Sequence, residues 1–190
     1  MGSSASTRSL PERPIRLGVV VVGDDHPRKC TGRRLVRLGL ASEVATAAPS
    51  REKPVVLDPY ADVPLSAADR GLAEVGGLVA VDCSWNRLSE RHANGLPRAA
   101  SVRGAAARRL PMLIATNPQH FGRPGELNTA EALAAALVLL GRPREAETLL
   151  GSFAGGPAFL EVNRERLDRY ARARSPAEIT VAERLAFAPR

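Results

Sequence analysis

One segment of the sequence, residues 109–137, constrains the fold more than any other. The apolar run LPMLIA precedes the loop TNPQHFGRPGELN, which leads into the strongly apolar stretch TAEALAAAL. A strand that ends in an Asn-, Pro- and Gly-rich loop and continues into a buried helix is typical of an α/β protein. Such proteins bind small molecules where their strands end in loops. The segment therefore predicts an α/β fold with a ligand site near this loop.

Strands and helices alternate along the rest of the chain. Runs of β-branched residues, the first beginning at Ile15, indicate strands that are buried on both faces. Two helix starts carry capping signals, because Asp69 stands three residues after Ser66 and Glu131 three residues after Asn128. The expected strands are 15–22, 54–57, 78–81 and 112–115. The expected helices are 33–40, 66–75, 128–140, 144–150, 157–172 and 176–185, with a loop at 23–32 and an exposed loop plus a short helix at 89–108.

The charge of the chain points towards nucleic acid. The formal net charge is +7, and the only lysines are Lys29 and Lys53, so nearly all of the positive charge is arginine. Guanidinium groups grip phosphates in a bidentate way, and an arginine-rich basic surface therefore favours a nucleic-acid partner. The alternative is an arginine-rich composition that only solvates the surface.

The two cysteines, Cys30 and Cys83, are interpreted as small buried residues, because two thiols cannot complete a four-ligand zinc site. We therefore expect no metal. No apolar run approaches the roughly 20 residues of a membrane span, and the run at 15–23 lacks a signal-peptide cleavage pattern. The expected localisation is cytoplasmic, without a membrane partner.

Five blocks of the sequence, in this order and spacing, resemble one known family. They are CTGRRLVRLGL at 30–40, DCSW at 82–85, LPMLIATNPQHFGRP at 110–124, EALAAAL at 131–137 and FLEVNRERLDRY at 159–170. Over about residues 15–186 the chain resembles the small-subunit (16S/18S) rRNA aminocarboxypropyltransferases. The resemblance implies a SPOUT-like knotted α/β domain with a helical C-terminal part and a small N-terminal α/β domain. The implied division is a disordered tail at 1–13, an RLI-like domain at 14–75 and a SPOUT-like cofactor-binding domain at 76–190.

The same resemblance implies an enzyme that uses S-adenosylmethionine during ribosome biogenesis. Its members move the 3-amino-3-carboxypropyl group onto N3 of a pseudouridine, usually N1-methylated, and release methylthioadenosine. The expected partner is small-subunit rRNA or a pre-ribosomal subunit, and the expected state is a monomer. Two alternatives stay open: a SPOUT-type RNA methyltransferase, and a pre-rRNA-binding assembly factor without chemistry.

The family's cofactor contacts carry over by position. The implied cofactor-binding residues are Thr31, Leu57, Pro59, Val81, Asp82, Trp85, Leu110, Gly125 and Thr129. Asp82 is the one candidate catalytic residue: it is expected first to hold the ammonium of the methionyl tail and second to help remove the N3 proton. Trp85, the only tryptophan, suits the wall of a sulfonium pocket. The alternatives are a turn or capping Asp and a core Trp.

Basic residues near the CTG turn are the candidate RNA contacts. Arg33 and Arg37 lie one turn apart on one helix face, which suits a folded RNA backbone; a solvated face is the alternative. The expected set is Arg28, Lys29, Arg33, Arg34, Arg37 and Arg123. Because aromatics make up only 4% of the chain, shape and phosphate contacts are expected to dominate. The chain reads NPQHFG where the family usually has NPVNYG, so His120 is not assigned as a base.

Overall fold

The computed structural model of the protein describes residues 13–21, 30–45, 52–85, 90, 102 and 104–188. The expected disordered tail, apart from residue 13, lies outside the described residues. So do Arg28 and Lys29, most of the expected loop at 23–32, and most of the segment 89–108.

A five-stranded parallel sheet forms the centre of the described structure. Its strands are β1 (Leu17–Val21), β2 (Ser42–Glu43), β3 (Val55–Leu57), β4 (Leu78–Asp82) and β5 (Ala106–Arg108). The spatial order is β2-β1-β4-β3-β5, and every pairing is parallel. Apolar runs on the inner strands suit a sheet that is covered on both faces. The α/β class expected from the sequence is confirmed, as are the strands at 15–22, 54–57 and 78–81 within two residues at each end.

Helices pack around this sheet. They are α1 (Thr31–Arg37), α2 (Arg70–Gly76, preceded by the 3₁₀ turn Ala67–Asp69), α3 (Thr129–Leu139), α4 (Pro143–Gly151), α5 (Gly156–Val162), α6 (Arg164–Arg172) and α7 (Pro176–Ala186). The Ala- and Leu-rich α3 is buried almost all round, and it packs against β4, α1, α4 and α6. Its amino-terminal end therefore lies at a fixed position beside the end of β4.

Both capping signals mark helix starts. Asn128 accepts a hydrogen bond from Glu131 N at 2.9 Å, and the Glu131 carboxylate accepts one from Asn128 N at 2.9 Å, which completes a capping box. At the earlier start, Ser66 N donates to the Asp69 carboxylate at 3.1 Å. These spacings therefore located two helix starts correctly.

The expected strand at 112–115 is wrong. Only an isolated antiparallel bridge joins Ile114 to Pro124. Side chains from the C-terminal helices occupy the backbone groups that a neighbouring strand would use: Met112 N donates to Glu183 at 2.7 Å, and Ile114 N donates to Asn163 Oδ1 at 2.8 Å. An apolar run predicts burial here, but Met112 and Ile114 bond side chains distant in sequence, and Leu113 O and Ala115 N bond the backbone of the loop that follows.

Three further boundaries differ from expectation. Part of the segment interpreted as loop and short helix at 89–108 is instead the edge strand β5, which pairs with β3. The first helix begins at Thr31 rather than residue 33, because Cys30 Sγ caps it by accepting from Arg33 N at 3.3 Å. The helix expected at 157–172 is two helices that meet at Asn163. This buried amide bonds Ile114 O at 2.9 Å and Phe159 O at 3.0 Å, and the chain turns there.

Candidate active site

A cavity of about 740 Å³ opens at the carboxyl edge of the sheet, between the start of α1 and the start of α3. The ends of β3 and β4 line it on one side, and the segments 109–112, 119–120 and 124–129 form its walls. Parallel sheets bind small molecules at this edge. The volume falls within the roughly 300–1,000 Å³ of small-molecule sites.

All of the cofactor-binding residues expected from the sequence line this one cavity. They come from five separate parts of the chain, and they are Thr31, Leu57, Pro59, Val81, Asp82, Trp85, Leu110, Gly125 and Thr129. Residues distributed over about a hundred positions of sequence are thus brought to a single site by the sheet and α3. Tyr60, Met112, Glu126 and Glu183 line the cavity as well, and the sequence did not single them out.

Asp82 connects the three elements that meet at the cavity. One carboxylate oxygen accepts from Gly32 N at 3.0 Å and from Cys30 Sγ at 2.5 Å, and the other accepts from Thr129 Oγ1 at 2.6 Å. A carboxylate offers about four lone-pair sites, so these three donors leave it with one. Asp82 therefore joins the starts of α1 and α3 to the end of β4 at the lining of the cavity.

Gly32 is required by this close approach. A Cβ built at this position would lie 2.7 Å from the Asp82 carboxylate and 2.7 Å from Val19. Any side chain would push α1 away from β4, because both contacts are shorter than packed atoms tolerate. The glycine of the CTG block thus lets the first turn of α1 reach the carboxylate.

Burial and the hydrogen bond to Asp82 raise the pKa of the Cys30 thiol to about 11. Cys30 is only 7% exposed, as expected for a small buried residue, whereas Cys83 is only half-buried. At neutral pH the Cys30 thiol therefore keeps its proton and serves as a donor to Asp82, not as a nucleophile.

Trp85 follows the end of β4 and is half-buried. Its indole Nε1 donates to Leu127 O at 3.1 Å, which fixes the ring against the opposite wall of the cavity. The Trp is therefore held as part of the cavity lining by a partner from the loop that precedes α3.

The loop between residues 115 and 128 is anchored through a buried carboxylate. Glu131, 3% exposed, accepts from Thr116 N and Oγ1 at 2.8 and 2.9 Å and from Asn117 Nδ2 at 2.7 Å. Nearer the cavity mouth, the His120 ring contacts the Glu126 carboxylate. The polar residues of this loop thus hold the cavity wall in a fixed shape.

The cavity wall formed by residues 109–112 is held by the C-terminal helices. Glu183 of α7 bonds both Met112 N and Arg109 Nη1, the latter at 3.0 Å, and Tyr170 of α6 donates its hydroxyl to Met112 O at 3.0 Å. Burial is the main cause that raises the pKa of Tyr170 to about 12. No local pattern could have placed Glu183 here, because 71 residues separate it from Met112.

The arginines expected to contact RNA fall into two groups. Arg33, Arg34 and Arg37 are exposed on α1, whose first residue lines the cavity, and Arg123 is exposed on the rim loop. Arg34 donates to Ser152 O at 3.1 Å and lies 4.8 Å from the centre of the Phe153 ring. Arg34 is therefore partly committed to packing, whereas Arg33 and Arg37 are the more available cations of the helix.

Among the described residues, no group of three or more His, Cys, Asp or Glu side chains is arranged to hold a metal ion. None of the helices in that part of the chain combines the length and apolarity that crossing a membrane demands.

The fold and the cavity define an α/β protein with a cavity of small-molecule size at the carboxyl edge of a parallel sheet. Comparison with known proteins identifies a family within this class of α/β proteins. Residues 55–186 match the family described as "Ribosome biogenesis protein, C-terminal". The chain is 46% identical over 156 residues to a 16S rRNA aminocarboxypropyltransferase from Methanopyrus kandleri, covering 82% of this chain and 89% of the relative. It is 42% identical over 171 residues to the protein of the same name from Halobacterium salinarum, covering 89% and 94%.

A solved structure gives the same result. The SAM-dependent rRNA:acp-transferase Tsr3 from Vulcanisaeta distributa superposes with a TM-score of 0.74 at 37% identity, covering 87% of this chain and 88% of that one. The chain belongs to the family of small-subunit rRNA aminocarboxypropyltransferases.

Residues 15–47 also match the description "Possible Fer4-like domain in RNase L inhibitor, RLI". An iron–sulfur cluster takes about four Cys thiolates, but this segment contains Cys30 alone, and its thiol is bound to Asp82. The residues do not fit a cluster. The strands β1 and β2 of this segment instead belong to the same sheet as β3 and β4.

Proposed function

We propose that the protein transfers the 3-amino-3-carboxypropyl group of S-adenosylmethionine to small-subunit rRNA and that methylthioadenosine is released. One observation carries the proposal. The nine residues expected from the family to contact the cofactor line a single cavity, although they come from separate segments. The proposed reaction is the one for which the relatives are named, and the cavity is the proposed site of that reaction.

The residues present fit such a cofactor. The cavity combines apolar groups, among them Leu57, Leu110 and Trp85, with the carboxylate of Asp82. Apolar walls suit an adenine ring and a methyl group. A carboxylate suits the two positive centres of the molecule, its sulfonium and its ammonium.

S-adenosylmethionine, when bound, supplies a sulfonium with three carbons open to attack. The protein selects among them by what it covers and what it exposes. In our proposal Trp85 would lie beside the sulfonium, since an aromatic ring suits a neighbouring cation. Asp82 would hold the ammonium, and Thr129, at the start of α3, would hold the carboxylate, since a helix amino terminus favours an anion. Together these residues would leave the carbon of the 3-amino-3-carboxypropyl group open to attack.

The atom that accepts the transferred group is proposed to be N3 of a pseudouridine, usually N1-methylated. The first role of Asp82 is to bind the ammonium, and its second is to help remove the N3 proton. Arg33, Arg37 and Arg123 bind the RNA backbone near the mouth, with Arg34 and the undescribed Arg28 and Lys29 as further members of the set. The assignment of these residues to RNA binding is supported by the positive surface that they form beside the cavity.

The remaining expectations belong to the same proposal. We propose that the protein acts as a monomer in the cytoplasm on rRNA or a pre-ribosomal subunit, and that its SPOUT-like domain at 76–190 carries the family's trefoil knot. The RLI-like unit at 14–75 is proposed to share the sheet with that domain. The family resemblance of the five sequence blocks supports these points.

The test uses two labels. The protein is incubated with small-subunit rRNA and with S-adenosylmethionine labelled in the carboxyl group or in the methyl group. Carboxyl label in the RNA without methyl label is the expected result. Methyl label in the RNA would make the protein a methyltransferase. RNA binding without cofactor binding would make it an assembly factor, and either result would overturn the proposal.

A further inference from the structure

Phe121 is exposed to an unusual degree for a large aromatic residue. It is 73% exposed, the highest value among the exposed large hydrophobic residues of the described structure, in a chain with only four phenylalanines. A single exposed apolar side chain is ordinary on a protein surface. Whether Phe121 has a role therefore depends on where it lies and on its immediate neighbours.

The exposed ring is carried by a hydrogen-bonded turn. Around it, His120 N bonds Asn117 O at 3.2 Å, Gly122 N bonds Ala115 O at 2.8 Å, and Arg123 N bonds His120 O at 3.0 Å. Gly122 has φ +79°, a conformation that a residue with a side chain adopts only with strain. Asn117 in turn is bound to the buried Glu131. The turn therefore presents Phe121 at a fixed place.

That place is the rim of the cavity. Gln119 and His120, the two residues immediately before Phe121, line the cavity, and so does Pro124 on the other side of the turn. An aromatic residue whose chain neighbours face the site is close to whatever enters it. The family resemblance assigned no role to this position.

The chemistry around Phe121 favours a nucleobase as its partner. Arg123, with a side chain 61% exposed, lies two residues away, and it forms an ion pair with Glu126 at 3.3 Å. An exposed ring beside an exposed guanidinium matches an RNA nucleotide, since the ring meets the base and the cation meets the phosphate. The net charge of +7 attracts the same partner.

We propose that Phe121 is a stacking platform for an unpaired base of the substrate RNA at the mouth of the cavity. The base lies at or next to the nucleotide that receives the transferred group. The inference rests on the proposed function for the identity of the RNA, and it adds a base contact to an interface otherwise built from phosphate contacts. Arg123 then serves the phosphate of the same region.

The test compares substitutions at Phe121 for RNA affinity, measured by filter binding with small-subunit rRNA. Base stacking on an aromatic residue is worth enough that Phe121→Ala is expected to weaken RNA binding by roughly 5- to 100-fold. Phe121→Tyr keeps the ring and is expected to bind like the unmodified protein. Phe121→Leu keeps an apolar side chain without a π-face and is expected to bind like the Ala variant.

A matched control comes from Leu185, which is 61% exposed and lines a shallow groove between α6 and α7. Leu185→Ala is expected to leave RNA affinity unchanged. S-adenosylmethionine affinity, measured by calorimetry, is expected to be equal in Phe121→Ala and the unmodified protein, since the turn retains its backbone hydrogen bonds. The carboxyl-label assay should show a reduced rate for Phe121→Ala at low RNA concentration.

Three results would overturn the inference. They are unchanged RNA affinity in Phe121→Ala, full affinity in Phe121→Leu, and a loss of self-association in Phe121→Ala by light scattering, which would assign the ring to a contact between copies. The proposed function fails separately, if the unmodified protein transfers no carboxyl label. The filter-binding series still decides the role of Phe121 in that case.

Discussion

Replacement of Asp82 separates its structural role from its charge. In Asp82→Asn, the amide oxygen can accept from Gly32 N and Cys30 Sγ, while the amide nitrogen can donate to Thr129 Oγ1, whose hydroxyl rotates to accept. Every hydrogen bond that the carboxylate makes in the structure then has a counterpart. We expect Asp82→Asn to change the free energy of unfolding by less than about 1 kcal/mol.

Asp82→Ala removes the acceptor altogether. Gly32 N and the Thr129 hydroxyl, both on buried residues, lose their acceptor, and each such loss costs about 1–3 kcal/mol. The two together give a destabilisation of about 2–6 kcal/mol. At an ordinary urea dependence of about 2 kcal/mol/M, the unfolding midpoint falls by about 1–3 M.

Cofactor affinity should respond differently from stability. A hydrogen bond to a charged group is worth about 1.5–3 kcal/mol, so loss of the carboxylate charge should weaken S-adenosylmethionine binding by roughly 10- to 100-fold in both variants. Urea unfolding and titration calorimetry on the same preparations measure the two quantities. Cofactor affinity that persists in Asp82→Asn would show that Asp82 only joins the helices to the sheet. Full stability in Asp82→Ala would refute the hydrogen-bond reasoning itself.

Trp85→Ala should weaken cofactor binding at least tenfold. Trp85→Phe should weaken it less, because Phe keeps an aromatic face and loses only the bond to Leu127 O. If calorimetry gives both variants the affinity of the unmodified protein, the ring lies outside the binding site. Charge reversal at Arg33 and Arg37 should lower RNA affinity in filter binding and spare the cofactor, and equal loss of both would make the pair structural. The third prediction concerns pH. Folding raises the pKa of Cys30 from 9.0 to about 11, so the folded protein binds the thiol proton more tightly than the unfolded chain. The stability that this proton contributes is therefore fully present below pH 9 and is lost between pH 9 and 11. Cys30→Ser should lack that loss in urea midpoints measured from pH 8 to 11, and an identical loss in both proteins would contradict the assignment.

Local patterns predicted the elements whose causes are local. The β-branched run beginning at Ile15 became a central strand, and the Asn128 and Glu131 spacing marked the start of α3, because burial and capping depend on neighbours in sequence. The resemblance then supplied positions such as Leu110 and Gly125, which periodicity alone would not connect. Nine residues of the cavity lining were therefore predictable, although the rest of the lining and its shape were not.

Two of the errors share one physical origin. Apolar content at 112–115 predicted a strand, but the partners of Met112 and Ile114 are Glu183 and Asn163 from helices far along the chain. The same Asn163 divides a helix that looks continuous in sequence. Hydrogen bonds between a side chain and a distant backbone leave no periodic signal, so both errors arise where such bonds determine the structure.

The segment that includes Met112, in the cavity wall, and Ile114, just beyond it, also has a consequence for how the protein matures. Its bonds reach forward by 49 residues to Asn163, 58 to Tyr170 and 71 to Glu183. During synthesis the sheet can form before these helices exist, but the cavity cannot acquire its final outline until they dock. Cofactor binding then acts as a report on completed folding. A bound cofactor should slow amide hydrogen exchange in α6 and α7, although most of their residues lie away from the cavity.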